Sequence, residues 1–187
     1  MTDVEIANIV GVLDFHRELR LSSVAELLSS SEDVSNVNYS PEDNHWLQTR
    51  FEIGNESKYI AFYRSGTCAI VGCDSFEDLQ QYVDLIKEVM SPVIKTEPTL
   101  EIKNLVCVGE LEQGLDLTHL AIAAGLERVE YEPEQFPGLI YRDSDLPAVL
   151  LIFASGKVVV TGITTLEEAD RSFGKLRKRL SEWELDT

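Results

Sequence analysis

The chain repeats itself, and the repeat limits every fold open to it. Val4-Glu-Ile-Ala-Asn8-Ile-Val10 matches Leu100-Glu-Ile-Lys-Asn104-Leu-Val106, and Leu19-Arg-Leu-Ser-Ser-Val-Ala25 matches Leu115-Asp-Leu-Thr-His-Leu-Ala121 at the same spacing. Further on, Ser65-Gly66 matches Ser155-Gly156, Gly72 matches Gly162, and Ser75-Phe-Glu-Asp78 matches Thr165-Leu-Glu-Glu168. Self-similarity at a fixed period means one supersecondary unit used more than once. Residues 1–95 and 96–187 are therefore expected to be two copies of one design.

Each copy reads strand, helix, four strands, long helix. The first strand is expected over Val4–Val12 and again over Thr99–Val108. Short helices follow near Leu21–Ser30 and Leu117–Gly125, with Ser22, Ser23 and Thr118 as candidate cap residues. Strands are expected near Val34–Tyr39, Trp46–Ile53, Lys58–Arg64 and Thr67–Gly72, rich in branched and aromatic residues. In the second copy they are expected over Leu139–Arg142, Ala148–Ala154 and Val158–Thr161. The last helix of the first copy places Phe76, Leu79, Val83, Ile86 and Met90 on one face. Its counterpart places Leu166, Ala169, Phe173, Leu176, Leu180 and Trp183 likewise. Ser75-x-x-Asp78 and Thr165-x-x-Glu168 have the pattern of a capping box. Strands with helices packed on one side form an α+β layer. Two such layers can join into one long antiparallel sheet with an open face, and an exposed apolar sheet face implies a partner.

Composition excludes several classes. No run nears the ~18 apolar residues of a membrane span, and the N-terminus has no basic leader, so a soluble intracellular protein without membrane contact is expected. Cys68, Cys73 and Cys107 are odd in number with no Cys-x-x-Cys, which suits reduced core thiols. His16, His45 and His119 lack ligand spacing, so no metal or other cofactor is expected. No nucleophile–base pair or phosphate loop is evident, and the chain reads as a non-enzyme. The net charge of −17 argues against a polyanionic partner unless the acid sits on other faces or the host is salt-loving.

One long string is far more specific. Tyr131-Glu-Pro-Glu-Gln-Phe-Pro-Gly-Leu-Ile-Tyr-Arg142 is followed by Ile152-Phe-Ala-Ser-Gly-Lys157. This string resembles the signature of the TATA-binding protein family, of archaeal type and with a halophilic charge balance. The resemblance implies a pseudo-two-fold saddle: a long, curved antiparallel sheet with helices on its convex face. The concave face would lie in the minor groove of A·T-rich promoter DNA. By the resemblance, Asn8 and Asn104 match the family's paired asparagines, and Val10 and Val106 the adjacent groove-facing valines. Phe136 and Phe153 match a wedge pair, with Leu151, Val159 and Thr161 on the groove floor and Arg142 and Lys157 on the DNA backbone.

The first copy departs from the pattern. Tyr63 stands where a wedge phenylalanine belongs, Thr67 replaces a lysine, Val71 replaces a threonine and Ala69 a valine. The other wedge position falls on Asn44 if Tyr39-x-Pro41 is matched to Tyr131-x-Pro133. It falls on Trp46 if the copies are matched without a gap from Ser65-Gly66. The resemblance further implies recruitment of transcription factor B, through Glu132 and Glu134, and of RNA polymerase through that factor. The cations of the last helix (Arg171, Lys175, Arg177, Lys178, Arg179) suit its C-terminal dipole or a regulator's site. A free protein with an open apolar sheet could also self-associate. The implied function is a general initiation factor, cytoplasmic and associated with the nucleoid. The alternative is a divergent module that binds transcription factor B but little DNA. A small-ligand double-repeat domain has only topology behind it.

Overall fold

The structure is a computed structural model that describes residues 3–42 and 45–185. The chain divides into two compact units. One is Asn8–Lys103; the other joins the chain's first residues, up to Ala7, to everything from Asn104 onward. The contacts thus assign the start of the first strand to the second unit.

The first half contains β1 (Val4–Asp14), α1 (Leu21–Ser29), β2 (Val34–Asn38), β3 (Trp46–Ile53), β4 (Glu56–Tyr63), β5 (Thr67–Cys73) and α2 (Phe76–Val89). Its strands pair antiparallel in the order β2-β3-β4-β5-β1. The second half contains β6 (Thr99–Glu110), α3 (Leu117–Ala124), β7 (Val129–Glu130), β8 (Leu139–Arg142), β9 (Val149–Ile152), β10 (Lys157–Ile163) and α4 (Leu166–Glu182). Its order is β6-β10-β9-β8-β7, again antiparallel. The element series expected from the repeat is present in both halves, with ends shifted by a few residues.

Alternation along the strands sets one face against the helices. In the first half Ile9, Leu47, Phe51, Ile60, Phe62 and Ile70 are buried, with Leu79, Val83 and Ile86 of α2. In the second, Leu105, Leu139, Leu150, Ile152, Val158 and Val160 are buried, with Ala169, Phe173, Leu176 and Leu180 of α4. The Phe173 ring lies so close to the sheet that a Cβ on Gly109 would sit 2.7 Å from it. Cys68, Cys73 and Cys107 are fully buried, and burial, its largest cause, pushes each thiol above its ordinary pKa, Cys73 to about 12. Phe76 is the exception to the core face. It is 45 % exposed and occupies the first helical position.

The long helices start as the sequence predicts. Ser75 Oγ accepts the Asp78 N–H, and Thr165 with Glu168 makes a complete capping box. The Thr164 N–H, the largest contribution, and Thr165 hold the Glu168 carboxyl below its usual pKa. Replacing Thr165 by alanine should cost about 1 kcal/mol of stability, read as a melting temperature lower by ~2–4 °C. The short helices differ from expectation. Asp116, not Thr118, caps α3 by accepting the Thr118 and His119 N–H groups, and α1 has Arg20 at its N-cap with no side-chain bond. Ser22 and Ser23 lie inside the first turn of α1, two and three residues past the N-cap.

Four of the five cations on the last helix are engaged within the second unit. Lys175 donates to the Asp145 carbonyl at 2.8 Å, Arg177 pairs with Asp3 at 2.9 Å, Lys178 approaches Glu182 at 3.8 Å, and Arg179 joins Tyr141 and Asp143. Much of the base that stood out in the sequence is internal fastening.

Candidate nucleic-acid interface

The face of each sheet turned away from the helices is built from cross-strand rows. In the first half one row runs Gln48–Ala61–Ala69–Val12, and the next Arg50–Tyr59–Val71–Val10. In the second half the matching rows run Ile140–Leu151–Val159–Val108 and Arg142–Val149–Thr161. These four rows contain two arginines and no carboxylate, so the chain's acid lies off the middle of this face. Val10, Val106, Leu151, Val159 and Thr161 are all half-buried, as expected of an apolar floor open on one side.

Asn8 and Asn104 are fixed in that floor by two backbone bulges. Ile9 pairs with Cys73 but Val10 with Val71, which leaves Gly72 unpaired; Val160 pairs with Cys107 and Ile163 with Leu105, which frees Gly162. Both glycines take positive φ, +104° and +78°, where a Cβ is strained. The freed Gly72 N–H donates to Asn8 Oδ1 at 3.0 Å, and the Gly162 N–H to Asn104 Oδ1 at 3.0 Å. A backbone N–H can only donate, so it fixes which amide atom is oxygen. Each asparagine therefore keeps its NH2 for another acceptor. Thr161 Oγ1 lies 3.4 Å from Asn104 Nδ2, whereas Val71 offers Asn8 nothing comparable.

The aromatic positions differ between halves. Phe136 lies in the segment before β8 and Phe153 just past β9, with ring centroids 5.8 Å apart at 67°. They meet over Gly138, where a Cβ would lie 2.8 Å from Phe136 and 3.0 Å from Phe153. In the first half Trp46 is directly opposite Tyr63, which is 37 % exposed. Strand register decides the equivalence left open by the sequence. Leu47 pairs with Phe62 as Leu139 pairs with Ile152, so Trp46 takes the place of Gly138. The ungapped match of Trp46 to Phe136 is thus corrected, since the β3–β4 hairpin is two residues longer. Asn44, matched to Phe136, lies outside the described residues. Trp46 puts an indole where the second half has no side chain at all.

Other candidates sit at the margins. Lys157 is exposed, and Arg142 is exposed and paired with Glu130 at 3.1 Å. Glu132 and Glu134 are exposed in the segment before Phe136, and Glu132 accepts from Gln135. Sequence reasoning missed Val12, Gln48, Val108 and Ile140. The signal for Gln48 was present: within Trp46–Ile53, Trp46, Gln48 and Arg50 alternate with buried Leu47, Thr49 and Phe51.

A family model described as transcription factor TFIID (or TATA-binding protein, TBP) matches residues 3–93 and again 99–183, one match per half. The chain belongs to the TATA-binding protein family. It is 37 % identical over 183 residues to TATA-box-binding protein C of the halophile Halobacterium salinarum, covering 96 % of this chain and 98 % of that one. It is 36 % identical to the TATA-box-binding protein of Picrophilus torridus, covering 96 % and 95 %. The solved structure of Methanococcus jannaschii TBP is similar over 96 % of this chain and 98 % of that one, with a TM-score of 0.79 at 30 % identity. The family is one of DNA-binding transcription factors, the relatives named here are archaeal, and the α+β antiparallel architecture of the solved relative is the one described above. No helix among the described residues is long and apolar enough to cross a membrane.

Proposed function

We propose that this protein binds A·T-rich promoter DNA in the minor groove with its open rows, bends it, and presents the bent complex to transcription factor B and RNA polymerase. The observation that carries the reading is the pair of asparagines whose carbonyls are held by bulged glycines. Minor-groove edges of A·T pairs offer only acceptors, while G·C adds a donor amine. Two NH2 groups with donors to spare, in a floor of valine and leucine, suit acceptors without donors. Insertion of apolar side chains between base steps, a mode for which TATA-binding proteins are a standing example, kinks the duplex. The edge-to-face packing of Phe136 and Phe153 over Gly138 supports assigning them that role. Glu132 and Glu134, exposed beside them, are proposed as contacts for transcription factor B.

The charge objection yields a measurable expectation. Arg50, Arg142 and Lys157 are the cations that these rows and their ends supply, so few phosphates are neutralised. The slope of log affinity against log salt should be no steeper than about −3. Titrating an A·T-rich duplex and a G·C-rich control from low to multimolar potassium chloride, with bending read by end-to-end energy transfer, tests this. Tight, bent, A·T-selective binding that survives high salt is expected.

The first half favours a second reading, because Tyr63 stands where the second half has Phe153 and Trp46 puts an indole at the place of Gly138, so both bring polar atoms to this end. Such a protein would hold transcription factor B without gripping DNA. Capture of that factor with no A·T selectivity at any salt would establish it.

A further inference from the structure

The two halves present equivalent rows of unequal chemistry. Register and the Ser-Gly turns match Gln48 with Ile140, Ala61 with Leu151, Ala69 with Val159 and Val12 with Val108. The second-half row is wholly aliphatic. The first-half row loses two bulky side chains to alanine and gains a carboxamide. Gln48 is half-buried beside Ala61, which is only 2 % exposed although it faces away from the helices. Gln48 also lines a shallow cavity with Asn38, Arg50 and Tyr59, so polar groups gather at this end of the first half.

An aliphatic floor rejects the purine 2-amino group because it cannot accept its hydrogen bond and collides with it. A glutamine carbonyl accepts that bond, and half-buried Ala69 carries a smaller side chain than its counterpart Val159. We propose that Gln48 reads a purine 2-amino group in the minor groove, so that the first half accepts a G·C pair where the second half requires A·T. This rests on the DNA reading above and adds a consequence. A symmetric A·T element offers two orientations, and a single G·C pair would select the one that brings it under Gln48.

The test uses an A·T-rich element in which adenine is replaced by 2,6-diaminopurine, which adds the minor-groove amine alone. One substitution should lower affinity less than about threefold, whereas one in each half should lower it about tenfold or more. Orientation is read by energy transfer from a donor on the exposed Asn55, through Asn55→Cys, to one duplex end; the native thiols are buried. A single amine should give one orientation. In Gln48→Ile, copying the second half, the single amine should cost the full tenfold relative to the same variant on unmodified DNA. Ile140→Gln should confer tolerance on the second half. Selective A·T binding with equal penalties in either half and mixed orientation would overturn the role of Gln48. No selective binding to unmodified A·T DNA would instead overturn the reading beneath it.

Discussion

Replacing Phe136 and Phe153 together by alanine is expected to lower affinity for an A·T-rich duplex about a hundredfold and to abolish bending at the second-half end. The two rings pack edge to face over Gly138, where no Cβ can fit, so in the proposed complex they are expected to insert together. Stacking of an aromatic side chain on a base is worth ~1–3 kcal/mol by alanine substitution, and two such losses give the hundredfold figure. Both rings are half-buried and neither is among the fully buried core side chains, so the fold should survive. Equilibrium titration with an end-labelled duplex reads affinity and bend together. The Trp46→Ala, Tyr63→Ala pair should cost less, because hydroxyl and indole N–H must lose water to enter the stack.

The largest effect on stability is expected at Asp143. Its side chain is 4 % exposed and gathers Tyr141 at 2.9 Å, Arg179, Arg128 at 3.5 Å and the Asp145 N–H at 2.9 Å. Trp183 stands edge-on to the Tyr141 ring, so the cluster fastens the end of α4 to the β8–β9 hairpin. Asp143→Ala removes one partner of a buried ion pair and should cost about 3 kcal/mol or more, by denaturant unfolding. The pH dependence has a definite sign. Burial opposes the charged carboxyl, but the Asp145 N–H, Arg179 and Tyr141 outweigh it and hold the pKa at about 2, below the ordinary 3.8. A depressed folded-state pKa stabilises above the ordinary value. Its contribution, about 2 kcal/mol at neutral pH, should therefore fade as pH drops from about 4 to 2. The alanine variant should lose that segment of the stability profile while keeping the slopes due to other carboxylates.

Much of the fold was legible because the chain states it twice. Strand alternation, helix periodicity and the two capping patterns are local, and a second copy confirms each. The bulged glycines were visible as a repeated letter, but their purpose was not. Holding Asn8 and Asn104 by a freed N–H depends on cross-strand register, which no local pattern encodes. Register also settled Trp46, since a hairpin longer by two residues shifts every match upstream of it. The Asp143 cluster escaped notice because Tyr141, Asp143 and Arg179 come from a strand, a turn and a helix end. The basic helix misled for the same reason: its cations look free in sequence and are mostly paired in space.

The central claim is that the open rows read the minor groove, and one substitution in the DNA tests it most directly. Replacing every A·T pair of an element by inosine·cytosine leaves the minor-groove pattern of acceptors unchanged and alters the major groove. The account predicts affinity and bending within about threefold of the A·T element, and loss of both when guanine replaces inosine throughout. Failure to bind the inosine duplex alongside tight binding of the A·T duplex would place recognition in the major groove and contradict the account.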